Sequence, residues 1–157
     1  MTKSIPLTQG KFAIVDDEDY DEIARHKWYY LNGYAQRHAP RGVTRMHRVI
    51  AGTPPGMDTD HINGDGLDNR RSNLRVCTHS QNMANRGRDS TNTSGFKGVT
   101  WHKECRKWLA YTAVNRKMIH IGLFERAEDA ARAYDREVVR IFGEFAAPNF
   151  PQERDHA

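Results

Sequence analysis

The chain has 157 residues, 38% of them hydrophobic and 28% charged, with a mean hydropathy of −0.83; this leaves room for one ordinary domain or a few very small ones and excludes a single large core. No run approaches the ~20 apolar residues of a bilayer span, and MTKSIPLTQGKF lacks the apolar stretch of a secretory signal, so a soluble, cytoplasmic protein with no membrane partner is expected. The net charge of +4 is unevenly spread, at −2 over residues 1–35, 0 over 36–69, +9 over 70–120 and −3 over 121–157. A basic block of that size is the electrostatic footprint of a phosphate backbone, whereas a merely solvated face would interleave its signs.

Residues 1–44 form a small β-rich segment. Residues Lys11 to Val15 alternate as a strand does, and the acidic stretch Asp16 to Ala24 suits a short helix. Asn32-Gly33, between Lys27-Trp28-Tyr29-Tyr30-Leu31 and Tyr34-Ala35-Gln36-Arg37, is the strongest hairpin signal in the chain. Its aromatics Trp28, Tyr29, Tyr30 and Tyr34 fit a half-buried strand better than a base-stacking surface, with Arg37, Arg41, Arg45 and Arg48 as candidate phosphate contacts.

Residues 45–87 carry the chemistry. Residues 57–62 read as a strand that ends at Asp60-His61 and runs into the turn Asn63-Gly64-Asp65-Gly66. After the polar stretch 68–72, Leu74 to Thr78 alternates as a second strand, and Thr78-His79-Ser80-Gln81 matches a capping box. A helix is therefore expected to start near His79 and to carry Asn82 about one turn in. Strand, loop, strand, helix with Asp60, His61, Asn73 and Asn82 in these places resembles the HNH, or ββα-metal, nuclease motif in the variant whose last His is Asn.

That resemblance implies that Asp60 and Asn82 hold one divalent cation per active site, that His61 is the general base and that Asn73 orients it. Carboxylate and carboxamide oxygens suit Mg²⁺ or Mn²⁺, and a largely neutral imidazole can take a proton from water. His47, in Met46-His47-Arg48-Val49-Ile50, is similar to an upstream His of this family, with packing or a phosphate contact as open alternatives to chemistry. His79 suits a solvated first helical turn, and Asn69 and Asn85 suit loop-backbone roles. Cys77 and Cys105 form no C-x-x-C, which argues against a zinc ribbon and a disulfide framework.

Residues 88–95, RDSTNTSG, contain no apolar residue and read as a linker. Beyond it, Phe96–His102, Lys107–Asn115 and Met118–Phe124 read as strands. Ala127, Ala130, Ala131, Tyr134, Val138 and Ile141 then mark an amphipathic helix ending at Gly143.

The segment 96–151 resembles the plant Apetala/ethylene-response-factor domain, carried by Phe96-Lys97-Gly98-Val99, Lys107-Trp108, Ile121-Gly122-Leu123-Phe124, Ala127 to Asp135 and Asn149-Phe150-Pro151. The resemblance implies a sheet laid in the major groove, for which a ribbon of strands has the right width. Lys97, Thr100, His102, Arg106, Tyr111 and His120 are the leading DNA-contact candidates, followed by Trp101, Lys103, Arg116 and Lys117; Trp108 is expected in the core. Thr100, His102, Tyr111, Ala113, Met118 and His120 replace the family's usual Arg, Glu and Trp, so the plant target sequence does not transfer.

The fold class expected is α+β: the β-rich segment, the ββα-metal module, and a three-stranded antiparallel sheet packed on one helix. The function expected is a site-selective, metal-dependent homing endonuclease of phage or mobile-element type. It would act on double-stranded DNA as a monomer, in the host cytoplasm or nucleoid if phage-encoded. The alternative is a non-enzymatic DNA-binding regulator.

Overall fold

A computed structural model describes residues 1–40, 42–88 and 90–151, so Arg41, one of the candidate phosphate contacts, and Asp89, within the expected linker, lie outside the described residues. The chain forms two compact units, residues 1–78 and 79–157. The architecture is α+β, as the patterning predicts.

In the first unit, β1 (Thr2–Pro6) and β2 (Phe12–Asp16) pair antiparallel, with Ile5 opposite Ala13. Helix α1 (Asp17–Ala24) begins with Asp17, Glu18 and Asp19, the sign that a helix N-terminus favours. Strands β3 (Tyr29–Leu31), β4 (Tyr34–Ala39) and β5 (Gly42–Arg45) form a meander. Asn32 and Gly33 have φ of 50° and 88°, the two left-handed residues that a tight two-residue hairpin demands.

Short helix α2 (Met46–Ile50) follows, then β6 (Asp58–His61) paired antiparallel with β7 (Leu74–Cys77). Ile5, Ala13, Val15, Ile23, Trp28, Ala35, Met46 and Ile50 make this unit's core. Trp28 is 5% exposed and donates its indole N–H to Ile23 O at 2.8 Å, so its role is structural.

The second unit opens with α3 (His79–Asn85), which starts where the capping box places it. Strands β8 (Val99–His102), β9 (Lys107–Val114) and β10 (Lys117–Phe124) form an antiparallel sheet in the order β10-β9-β8, followed by α4 (Ala127–Phe142). Val99, Ala110, Ala130, Ala131, Tyr134, Val138 and Phe142 form the core between sheet and helix, with Trp108 packed against it. Gly143 caps α4 with φ of 55°.

The first strand of this sheet is shorter than its apolar pattern suggests, because Gly98 turns the chain with φ of 72°. A Cβ there would lie 2.0 Å from the Tyr134 ring, so only glycine fits. The preceding segment, expected as a linker, is a hydrogen-bonded turn over its described residues. Arg88 Nη1 donates to Gly95 O at 2.7 Å, Gly95 N to Asn92 Oδ1 at 3.0 Å and Ser94 Oγ to Val99 O at 2.8 Å.

The tail is tied down by Asp135, whose carboxylate accepts from Asn149 N at 2.7 Å, Asn149 Nδ2 at 2.9 Å and Phe150 N at 2.8 Å. Asn149 Oδ1 in turn accepts from Lys97 N at 2.7 Å, which gives the Asn-Phe-Pro ending its structural purpose.

Candidate active site

Asp60 and His61 are the last residues of β6, and burial leaves them 4% and 6% exposed. Asp60 faces Arg75 across the ladder, and Arg75 Nε and Nη2 approach Asp60 Oδ2 at 2.8 and 2.7 Å. The cation compensates a carboxylate that burial would otherwise penalise heavily.

The connecting loop is built from side-chain to backbone bonds. Asn63 Oδ1 accepts from Asp65 N, and Asp65 Oδ1 accepts from Leu67 N, each at 2.9 Å. Asp68 accepts from Arg70 Nε and Nη2 at 2.7 and 2.6 Å and from Asn63 Nδ2 at 2.9 Å. The Arg70 hydrogen bond is the main reason that Asp68 stays ionised below the usual carboxylate range.

Asn73 is buried and sits at the end of the one-turn helix Arg71–Asn73. Its Oδ1 accepts from Asn63 N at 3.0 Å, and its Nδ2 donates to Asn63 Oδ1 at 2.9 Å and Asp68 O at 2.8 Å. The His61 ring also meets Asn69, fully buried, with Oδ1 3.3 Å from His61 Nε2. Asn69 also fills the loop-backbone role read from sequence, since its Nδ2 donates to Leu67 O at 3.1 Å.

That second bond bears on the tautomer of His61. The amide end of Asn69 is taken by a carbonyl, so the end facing the imidazole is an acceptor. An acceptor at Nε2 calls for the Nε2–H tautomer and puts the ring's lone pair on Nδ1. Burial also pushes the His61 pKa down, the Asn69 bond opposing it, so the neutral, proton-accepting form is favoured.

The structure places His47 against this group. The His47 and His61 rings meet edge to face with centroids 4.9 Å apart, and Tyr34 lies 5.4 Å from the first and 6.0 Å from the second. His47 is buried, its Nδ1 has no hydrogen-bond partner among the described residues, and burial, followed by the neighbouring His61, drives its pKa down to about 3. A ring that burial holds neutral in this way packs against His61 and Tyr34.

Long-range contacts hold the loop that carries these residues. Asn69 N donates to Ile14 O and Ile14 N to Leu67 O, both at 2.8 Å, so the edge of β2 pins the loop. Asp16 Oδ2 accepts from Arg71 N at 2.8 Å, and Arg71 clasps Asp19 at 2.9 and 2.6 Å. The acidic start of α1 is thus the counterpart of the basic residues that open the +9 block. Arg70, Arg71 and Arg75 spend their charge on Asp68, Asp19 and Asp60, which reduces what the block offers to a nucleic acid.

Asn82 is the fourth residue of α3, in the second unit, and is half-buried. His79 opens that helix with its surface exposed. Among the described residues no cluster of three or more His, Cys, Asp or Glu side chains is arranged to hold a metal ion. The Asp60 carboxylate is a hard oxygen donor of the kind that suits Mg²⁺ or Mn²⁺.

The remaining candidates fall on one sheet and its turns. Pairing of Thr100 with Leu109 and of Tyr111 with His120 puts Thr100, His102, Tyr111 and His120 on the sheet face opposite α4. Trp101 instead shares a side with Trp108, the rings meeting edge to face at 5.1 Å. Lys103 and Arg106 lie in the β8–β9 turn, Arg116 lies in the β9–β10 turn, and Lys117 opens β10. Lys97 donates its ammonium to Ala84 O near the end of α3.

A family model described as HNH endonuclease matches residues 45–84. An uncharacterized HNH endonuclease of Acanthamoeba polyphaga mimivirus is 31% identical over 148 residues, covering 90% of this chain and 76% of that protein. Protein 3.8 of Escherichia phage T7 is 32% identical over 109 residues, covering 69% of this chain and 89% of that protein. The chain belongs to the HNH endonuclease family. It is also 33% identical over 131 residues to APETALA2-like protein 2 of Oryza sativa subsp. japonica, of which it spans 29%. No solved structure matches the chain significantly. No helix among the described residues is long and apolar enough to cross a membrane.

Proposed function

We propose that the chain is a divalent-metal-dependent, site-selective endonuclease of the homing type that hydrolyses phosphodiester bonds in double-stranded DNA, acting as a monomer. The observation that carries this reading is the buried His61 at the end of β6, its Nε2 facing Asn69 Oδ1. In that state His61 takes the proton from the attacking water, a contribution of roughly 10² to 10⁴ in rate. Asn73 positions His61 indirectly, by fixing the Asn63 to Asp68 turn that leads into Asn69.

Asp60 and Asn82 are the residues that would hold one Mg²⁺ or Mn²⁺. When bound, such an ion neutralises charge building on the scissile phosphate and its leaving oxygen. Arg75 orients the Asp60 carboxylate through contacts at 2.8 and 2.7 Å. Residues 45–87 would form the catalytic module and 96–151 a DNA-binding module. Thr100, His102, Tyr111 and His120 would contact DNA from the sheet face, with Lys97, Trp101, Lys103, Arg106, Arg116 and Lys117 around its margins. Holding the catalytic module near sites that the sheet recognises raises its effective concentration there, which gives selectivity without many base contacts at the cut.

The test is incubation with supercoiled plasmid and Mg²⁺ or Mn²⁺, then with genomic DNA from the source and its relatives, with EDTA, Asp60→Ala and His61→Ala controls. Nicked or linear product that requires both metal and these residues supports the reading. No product on any substrate overturns it in favour of a DNA-binding regulator.

A further inference from the structure

Three of the four arginines suggested as phosphate contacts lie within the described residues, and their surroundings differ. Arg48 donates Nη1 to Met57 O at 2.8 Å and Nη2 to Pro54 O at 3.4 Å, bracing the turn before β6. Arg37 lies over Trp28 at 5.4 Å with its Nε buried. Arg45 is exposed and has no side-chain hydrogen bond or ion pair among the described residues; its guanidinium lies over the Tyr34 ring at 5.2 Å. The same Tyr34 ring packs beside His47 and His61. The arrangement therefore runs from an uncompensated planar cation, across an aromatic shelf, to the imidazole that carries the proton-accepting lone pair.

Arg70, Arg71 and Arg75 also lie near the site's supports, yet each is matched to a carboxylate. Arg45 differs in having its fork of donors unspent. A guanidinium stacked on an aromatic face is partly desolvated and held in orientation, so less freedom is lost when it grips two phosphate oxygens.

We infer that Arg45, seated on Tyr34, grips a phosphate of the substrate strand beside the bond that faces His61. The inference rests on the nuclease reading above and makes Arg45 the residue that sets substrate register at the base. A misplacement of about 1 Å costs on the order of 10² in rate, so Arg45→Ala should slow single-turnover plasmid nicking about that much at saturating protein. Arg45→Lys keeps the charge without the planar fork and should recover less than half of the loss on a logarithmic scale.

Binding provides an independent readout. In a His61→Ala background, affinity for a fluorescein-labelled random-sequence duplex is followed against salt, and removing one phosphate contact should lower the slope of log K against log salt by about 1. Arg25→Ala serves as the equal-charge control, since Arg25 is an exposed residue of the same unit outside the proposed machinery. The inference is overturned if Arg45→Ala nicks within about threefold of the wild type, or if Arg45→Ala and Arg25→Ala change the slope alike. Should the wild type fail to nick any DNA, the nuclease reading falls while the slope comparison still decides whether Arg45 contacts phosphate.

Discussion

Replacing Arg75 by Ala strikes a buried ion pair of the first unit. The Arg75 and Asp60 side chains are 13% and 5% exposed, and both guanidinium contacts fall on the same carboxylate oxygen at 2.8 and 2.7 Å. Truncating one member of a buried pair strands the other charge, at a cost of about 3–5 kcal/mol. Because Arg75 keeps some solvent contact, the lower end applies, about 3 kcal/mol.

For a cooperative unit of 60–100 residues, 1 kcal/mol corresponds to roughly 4–8 °C in Tm, so the transition of the 1–78 unit should fall by about 12 °C or more. The double variant Asp60→Asn/Arg75→Met, which removes both charges, should recover to within about 1 kcal/mol of the wild type while staying inactive. The assay is urea denaturation of the full chain in EDTA, repeated with Mn²⁺. The cation should offset more of the loss in Arg75→Ala than it adds to the wild type, because it supplies positive charge to a carboxylate that has lost its Arg75 contacts. A loss below about 1 kcal/mol, or a double variant less stable than the single one, would refute the reasoning.

Asn69→Ala should slow cleavage by roughly 10-fold to 10²-fold while leaving plasmid binding within a few-fold, because the imidazole loses its fixed tautomer; Asn69→Asp, which keeps the acceptor, should be the less impaired of the two. His47 is neutral when folded, with its pKa near 3 against an ordinary value of 6.5, so the unfolded chain binds the extra proton. Its stabilising contribution is complete above pH ~6.5 and is lost as pH falls toward ~3, by up to about 1.4 kcal/mol per pH unit. His47→Phe should flatten that acid limb in denaturation measured from pH ~7 to ~4, and an unchanged limb would sink the assignment. If about six phosphates are contacted, affinity should fall with log salt at a slope near −5; a flat dependence would remove the charge argument, and competition by RNA as effective as by duplex DNA would redirect it.

What the sequence determined by itself is whatever a few neighbouring residues decide. Asn32-Gly33 dictates its turn because both positions need positive φ, α3 begins where Thr78 to Gln81 can cap it, and α4 follows from apolar residues recurring on one face. The strand, loop, strand, helix order with Asp60, His61, Asn73 and Asn82 is likewise local, so it was legible without coordinates. The apolar pattern predicts a longer β8 because it continues back to Phe96, and nothing in that pattern reports that Gly98 must pass under the Tyr134 ring.

Tertiary structure alone decided which partner each polar group takes. Asn69 reaches His61 because β2, more than fifty residues earlier in the chain, pins its loop through Ile14. Asp19 meets Arg71, Asp60 meets Arg75 and His47 meets His61 through register and packing between segments distant in sequence. The sequence motif groups α3 with the nuclease residues, whereas backbone contacts group it with the second unit, where Ala84 O accepts from Ala147 N at 3.2 Å. Hydrogen-bond partners and buried charges answer to the whole fold, because a polar group removed from water must be matched by whatever the chain brings within about 3 Å of it.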